Sequence, residues 1–434
     1  MTKRASHTGG LQISETAKAR LKKRYRAEKR FRFFGIAAIC CGALALLTLL
    51  TTVFSSGTSA FFRTELSVDV EMSSESLGID LPLTEEALQS GKYKKALRTS
   101  FYAQFPGVSQ RRDKRALAKM LSAGAALQLQ AWLSENPDKF GETASVWVLA
   151  ASDIDQIHKG NAPRDIEEKR RKVTDQQLAW YDTLVEQGRV RTTFNWAFFS
   201  NGDSRSPELA GIGSAIMGSF YALLVCFLLS FPLGVAAAIY LEEFAPKNRL
   251  TDIIEANINN LAAVPSIIFG LMGLAIILNV FGLPRGTPLV GGVVLSLMTL
   301  PTIIIACRAS IKAVPPSIRQ AALAMGASPV QTVLHHVLPL AMPGTLTGTI
   351  VGLAQALGET APLLMIGMVA FVVSVPGSPL DPSAALPVQV YLWAESAERG
   401  FVEKTAAAIM VILAFLVVMN LIAVILRARF ERKW

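Results

Sequence analysis

Only four cysteines occur in 434 residues, and Cys40, Cys41, Cys226 and Cys307 all lie in apolar runs. The polar stretch 55–210 has none, which excludes a disulfide scaffold there. No Cys/His spacing of a metal site occurs, so no metal is expected and all four cysteines read as small buried hydrophobes. Charge is scarce as well: Asp, Glu, Lys and Arg make up 18% of the chain, below the share usual in soluble domains. No G-x-x-x-x-G-K-S/T run is present to cradle nucleotide phosphates. Nor do Asp, Glu and His recur through several apolar runs as a proton relay would require, which argues against a proton-coupled carrier. No catalytic constellation stands out either. A chain like this would bind no cofactor and draw its energy from another protein.

What it has in quantity is apolar sequence. Hydrophobic residues make up 51% and the mean hydropathy is +0.38. Runs long enough to cross a bilayer, about 20 residues, fall at 33–54, 212–240, 258–280, 289–307, 340–372 and 406–426. The fold class that follows is an all-α polytopic membrane protein with about six transmembrane helices. The runs at 212–240 and 340–372 are long enough to overrun the hydrocarbon, or to be tilted or re-entrant. The run 33–54 has a weak cleavage site after it, Thr58-Ser59-Ala60, but its basic leader and apolar core are both too long for a signal peptide. It is read as an uncleaved anchor.

Charge orients these spans. Residues 1–32 carry eleven Lys/Arg and two Asp/Glu, nearly all of the net +10. Positive flanks stay in the cytoplasm, which puts both termini inside, together with Arg427, Arg429, Arg432 and Lys433 and the loops holding Lys247, Arg249, Lys312 and Arg319. The basic tail abuts a span and lacks interleaved aromatics, so it reads as a topology signal touching anionic lipid and not as a nucleic-acid site.

The division expected is a cytoplasmic tail (1–32), a first span (33–54), an extracytoplasmic domain (55–210) and a core of five spans (211–434). Segment 55–210 holds twenty basic and twenty-one acidic residues and is long enough for its own core. It reads as mixed α/β, anchored by Trp132, Trp147, Trp180 and Trp196. Helical periodicity runs from Lys114 to Leu133. A buried strand is expected at 146–150 with a turn at Ser152-Asp153, and a charged helix at 165–173. His158 reads as a solvated loop residue.

Between two of the apolar runs, residues 319–344 read RQAALAMGASPVQTVLHHVLPLAMPG. The stretch is too polar and proline-punctuated to face lipid; it carries a short helix, a glycine turn at Gly326 and a stop at Leu338-Pro339. Gln320-Ala321-Ala322, Gly326 and Leu338-Pro339 resemble the EAA loop of ABC importer permeases, with Gln320 in place of the usual Glu and His336 in place of an aliphatic residue. Three further runs, PLGVAAAIYLEE (232–243), NLAAVPSIIFG (260–270) and ALGETAPL (356–363), resemble the PstA-type permease of the phosphate importer over about residues 210–434.

That resemblance implies a type I permease core in a bacterial inner membrane. Segment 312–340 would be its coupling loop, docked on a separate ATPase dimer that uses ATP and Mg. It implies a homologous permease as heterodimer partner, an extracytoplasmic phosphate-binding protein, and no enzymatic activity in this chain. Permeases for sulfate, molybdate or phosphonate, or a membrane-anchored sensor, are the alternatives.

Glu359 stands in an apolar run, where ionisation costs about 2.5 kcal/mol or more. It reads as lying deep in a helix and facing a partner or a path. Gln355, one turn earlier, and Thr360 join it as path candidates. The family commonly has Arg where Gln355 stands, so the positive charge is expected from Arg308, unless it only reaches for headgroups, from the partner permease, or not from this half at all. Asn260 and Ser266, flanking Pro265, are the remaining path candidates; Asn259 and Asn260 read equally well as inter-helix hydrogen bonders. Gly352 and Gly358 read as packing glycines.

Overall fold

Residues 33–54 present apolar side chains on every face, a pattern that suits lipid and not a one-sided core. The computed structural model, which describes residues 15–79, 84–369 and 371–430, places them in one helix, Glu15–Gly57. The chain divides into two units, Met1–Ser55 and Ser56–Trp434. In the first unit Phe33, Phe34, Ile36, Leu44 and Leu47 are all exposed, and so are Cys40 and Cys41. Those two cysteines are therefore not the buried hydrophobes expected. Residues 1–14 of the basic tail, and Arg432 and Lys433, lie outside the described residues.

The second unit begins with a small sheet. Alternation in Phe62–Glu71 (β1) sends Leu66, Val68 and Val70 to one face, all fully buried, at about 1.5–3 kcal/mol for each side chain. It is the central strand, antiparallel to Thr143–Leu149 (β2), with Leu66 opposite Val148. On its other edge runs Val190–Phe194 (β3), also antiparallel, with Leu66 opposite Val190. Helices Tyr93–Ala103, Ala125–Glu135 and Asp175–Glu186 supply Leu97, Phe101, Leu129, Leu133 and Tyr181 to the same core. The last of these helices starts on a capping box between Thr174 and Gln177.

Several local expectations fail here. Ser152–His158 is a helix, not a turn. Residues 165–173 form only a 3-10 turn at Glu168–Arg170, because the run has no apolar stripe to bury and its flanking charges pair elsewhere. Arg164 meets Asp182 at 2.5 Å and Lys172 meets Glu398 at 2.5 Å. Trp180 is buried but Trp196 is 73% exposed, its ring packed edge-on against Phe194 at 4.8 Å, so it is not part of the core expected of it.

His158 is not a loop residue but ends the helix Ser152–His158, where it is half-buried. Its ring lies 2.6 Å from Tyr181 Oη and 2.9 Å from Thr192 Oγ1. Burial holds its pKa below the usual 6.5, against a smaller upward pull from Asp155. The folded state thus keeps the ring neutral while the unfolded chain takes a proton near 6.5. The stability it contributes is present above that value and is lost as pH falls toward the lowered folded value. Thermal midpoints of the full chain in detergent, read by tryptophan fluorescence between about pH 7.5 and 5, should fall on acidification. The fall should be shallower in His158→Gln; equal slopes would remove His158 from the account.

A buried ionic cluster joins this sheet domain to the last helix, Gly400–Phe430. Lys159 Nζ lies 2.6 Å from Asp155 and 2.9 Å from Glu403, with all three side chains less than 10% exposed. Ser59 Oγ and Asn161 Nδ2 donate to Glu403, and the Thr64 amide donates to Asp155. Charges this deep are tolerable only when paired and hydrogen-bonded, and each carboxylate here has at least two donors.

The rest is helical. Among the described residues five helices are long and apolar enough to cross a membrane, or six if a bent pair counts as one span. The bent pair, Arg249–Ala262 and Ser266–Leu278, turns by 101°, so the run 258–280 expected as one span is broken in two. Pro265 is the cause: its extended backbone (φ −56°, ψ 136°) stops the first helix and opens the second. The run 340–372 is also interrupted; its helix, Leu338–Gly358, ends at Glu359, which turns extended (ψ 114°) before a short helix, Ala361–Met365. Hydropathy carries straight across that break.

Helix Pro288–Lys312 is the centre of the bundle, packing on Gly213–Ile239 and on Leu338–Gly358. At Gly344 and Gly348 the second contact has no room for a side chain. A Cβ there would come 2.3 Å from Ser310 Oγ and 2.2 Å from Ala306 Cβ respectively. The packing glycines expected were others: Gly352 would make only ordinary contact and Gly358 faces open space. Cys226 and Cys307 are buried in this bundle beside Thr299 and Thr345, at 3.3 and 3.4 Å.

Candidate functional site

Three groups of residues bear on function. The first is the segment between the helices Pro288–Lys312 and Leu338–Gly358. Pro316 opens a helix that runs to Ala324. The chain then reverses at Gly326, whose φ of 88° is costly for any side chain. Gly326 N–H donates to Leu323 and Ala327 N–H to Ala322, the paired bonds that close a helix through a left-handed residue. Ser328 and Gln331 form a capping box that starts the next helix at Pro329. Gln320 and Ala321 are exposed and Ala322 is buried. Leu323, Val330 and Leu334 are about half exposed and Met325 is 88% exposed, so the turn offers an apolar surface with nothing on it.

Leu338-Pro339 is not a stop. The helical path from Pro329 reaches Gly358 without a break. Pro339 has no N–H for the carbonyl four residues back, and that stretch, Val333–Val337, is wound as a π-helix. The looser turn makes room for the proline ring where an α-helix would kink or break. His335 and His336 are exposed on that turn.

The second group is a set of ion pairs at the foot of this segment, of which little showed in the sequence. Glu242 and Glu243 sit in the π-turn Tyr240–Phe244 that ends the helix Gly213–Ile239. Arg319, on the short helix, places Nη2 2.6 Å from Glu243 and also donates to the carbonyls of Val314 and Ile311. It thereby ties three elements together: its own helix, the end of Pro288–Lys312, and the end of Gly213–Phe244. Arg308 lies 2.7 Å from Glu255 and 3.4 Å from Glu242. The available signal was a Glu-Glu pair closing an apolar run in a region with few other charges.

The third group holds the path candidates. Gly270 lets Ser266–Met272 lie directly on Ala361–Met365; a Cβ there would come 2.6 Å from Pro362 Cα. Two broken helices thus meet, with Ser266 just after one break and Glu359 and Thr360 in the other. All three are half-buried, while Asn260 and Gln355 are exposed. Glu359 is therefore not deep in a helix but at the helix end, where its backbone has left α geometry.

Arg308 cannot complete this group. The contacts Gly344–Ser310, Gly348–Ala306 and Gly352–Thr302 show two antiparallel helices in step. Carried forward, the register sets Gln355 level with position 299, roughly 13 Å along the helix from Arg308 at 1.5 Å per residue. Arg308 is also already paired with two carboxylates. The structure separates it from Gln355 and Glu359, and its charge is not available to them.

Comparisons with known proteins divide the chain in two. Residues 18–168 match a family described as a domain of unknown function (DUF3333). Residues 230–434 match the family described as the binding-protein-dependent transport system inner membrane component. A probable ABC transporter permease, YqgI of Bacillus subtilis, is 33% identical over 42% of this chain and 62% of its own length, under two thirds of that relative. The phosphate transport system permease protein PstA of Haemophilus influenzae is 30% identical over 49% of this chain and 74% of its own length. Among solved structures, a chain of the MetNI methionine ABC transporter in an inward facing conformation aligns over 51% of this chain and 98% of that chain. The TM-score is 0.42 and the identity 18%.

Proposed function

The chain belongs to the family of binding-protein-dependent transport system inner membrane components, and on that premise we propose that it is the half of a phosphate importer's pathway that couples to the ATPase through residues 316–337. Members of this family are permease subunits, not enzymes; hydrolysis of ATP with Mg falls to the separate ATPase dimer. The observation that carries the choice of cargo is the 30% identity to a phosphate transport permease across 74% of that relative. A homologous permease would cover the exposed faces of Gln355 and Asn260, and an extracytoplasmic binding protein would deliver phosphate. Closure of the ATPases would pull on the exposed turn around Gly326 and rock the spans, exposing the pathway to the other side.

The test is ATP-driven uptake by the complex reconstituted in vesicles with its ATPase, second permease and binding protein. Labelled phosphate should accumulate, and a tenfold excess of unlabelled sulfate, molybdate or phosphonate should not compete. Competition by any of these, with phosphate idle, would reassign the cargo while leaving the permease reading intact.

Orientation follows from the positive flanks, which place both termini in the cytoplasm of a bacterial cell and the sheet domain outside. In a background with Cys40 and Cys41 changed to Ser, Leu127→Cys should react with an impermeant thiol reagent on intact spheroplasts and Lys22→Cys should not. Leu127 is 69% exposed, so silence there with labelling at 22 would invert the topology.

Glu359 is the one acid at the meeting of the broken helices. Glu359→Gln keeps shape and hydrogen bonding but removes the charge, and should lower phosphate uptake severalfold with the complex still assembled. Gln355→Arg should retain more activity than Gln355→Leu, because Gln355 is exposed toward the partner and a guanidinium there has Glu359 one turn away. Wild-type uptake in Glu359→Gln would leave this acid a structural role only.

A further inference from the structure

Between positions 92 and 119 the chain carries nine Lys/Arg and one acid, Asp113, whereas the rest of 55–210 carries eleven Lys/Arg and twenty acids. Folding sharpens that imbalance. Helix Tyr93–Ala103 turns Tyr93, Ala96, Leu97 and Phe101 to the core, and helix Arg111–Ala118 does the same with Leu117. Lys94, Lys95, Arg98, Arg111, Arg112, Arg115 and Lys119 are left exposed. Among the described residues none of these seven is in an ion pair, although nearby Arg164, Arg171 and Lys172 all are.

The two helices enclose a trough made of three hollows. One of about 620 Å³ is lined by Lys92, Lys94, Lys95 and Arg98. The next, about 440 Å³, shares Lys94 and Arg98 with the first and adds Arg115 and Lys119. The last, about 650 Å³, shares Arg115 and Lys119 and adds Arg111, Arg112 and Lys172. Two carboxyl groups line the trough, Glu208 in the second hollow and Asp153 in the third. Glu208 is hydrogen-bonded to Ser122 Oγ at 2.7 Å, and burial pushes both carboxyls toward their neutral form. Unpaired cations at this density repel one another, so an arrangement that keeps them together favours a negatively charged occupant.

We infer that this trough binds an anion carrying two or more phosphoryl groups. Guanidinium forks match tetrahedral oxyanions in a way that ammonium groups do not, and Arg98, Arg111, Arg112 and Arg115 present four of them. Each hollow lies within the size range of small-molecule sites and exceeds what one orthophosphate needs, and the cations stretch along two helices. The third hollow also fixes where the trough ends. Lys172 is bonded to Glu398, and Gly400, the first residue of the last span, packs so closely on Ser152 that a Cβ would come 2.3 Å from its Oγ. The trough therefore descends to the level at which a span enters the membrane. The same chemistry could reach it from solution, as a short polyphosphate, or from the bilayer, as the paired phosphates of a cardiolipin headgroup. The inference does not depend on which cargo the spans carry.

The test uses the full chain at about 0.15 M salt, where diffuse surface attraction is screened within roughly 8 Å. Sodium tripolyphosphate is titrated calorimetrically into the protein in detergent, and thermal midpoints are compared in nanodiscs of phosphatidylcholine with and without cardiolipin. The variant is Arg98→Gln/Arg115→Gln/Lys119→Gln, which relieves repulsion and should melt no lower than wild type without ligand. Tripolyphosphate binding that is at least tenfold weaker in the variant, and unaffected by Glu359→Gln, supports a soluble source. Stabilisation by cardiolipin alone, absent in the variant, supports a lipid source. No response to either, or equal responses in wild type and variant, overturns the inference.

Discussion

Arg319→Ala should leave the protein in the membrane and assembled with the second permease proposed above, yet reduce ATP-driven uptake at least tenfold. Arg319 has three partners, Glu243 at 2.6 Å and the carbonyls of Val314 and Ile311, and so ties the helix that carries it to the ends of two others. Its side chain is 22% exposed and that of Glu243 12%. Removing one member of a buried pair costs about 3–5 kcal/mol, and partial exposure here brings the figure to the lower end. That energy is local. It holds Pro316–Ala324 against the ends of two spans, so losing it loosens the surface on which an ATPase would push, without unfolding the bundle. ATP hydrolysis by the reconstituted complex should therefore outlast transport. A double-mutant cycle with Glu243→Ala should give a coupling energy above about 1 kcal/mol. If the two effects simply add, the pair does not transmit force.

Gly348→Ala should destabilise the bundle, against the usual sign. An Ala in place of Gly within a helix ordinarily gains about 0.5–1 kcal/mol. At Gly348 the added methyl would sit 2.2 Å from Ala306 Cβ, and neither atom can rotate away. The two spans must separate, at about 1–3 kcal/mol, and Gly348→Leu should abolish accumulation of folded protein. Ala306→Gly should rescue Gly348→Ala, because it removes the atom that is struck. Gly358→Ala, with nothing within 4 Å of its new methyl, should melt no lower than wild type. A Gly348→Ala protein as stable as wild type would mean that the two spans do not meet at this register.

The spans are legible because a run of about twenty apolar residues has few other uses, and the turn between two of them because Gly326 is a local signal. It hid the breaks and the pairings. Residues on both sides of Glu359 are apolar, so hydropathy cannot see that the backbone turns extended there. Pro265 and Pro339 look alike in sequence; one bends its helix pair by 101° and the other is absorbed by a π-turn. The charge on Arg308 looked available because its partners, Glu242 and Glu255, lie 66 and 53 positions away in sequence. Of the sheet, β2 reads plainly as Val146-Trp147-Val148-Leu149. The central strand alternates Leu66, Val68 and Val70 with Ser67 and Asp69, a weaker pattern that only its two neighbours make decisive.

The cluster around Lys159 has a consequence for how the chain is made. Lys159 and Asp155 leave the ribosome together, but Glu403 follows 244 positions later. At roughly 5–20 residues per second, the sheet domain therefore waits about 12–50 s with Lys159 held by Asp155 alone. The third charge arrives only once the last helix has been synthesised and placed. A chain truncated before Glu403, or one whose last helix inserts the wrong way round, keeps Lys159 with one of its two carboxylates and without the helix that covers it. Completion of synthesis is thereby written into the stability of a domain whose own sequence was finished long before, and a quality-control protease could distinguish finished from unfinished molecules at that one seam.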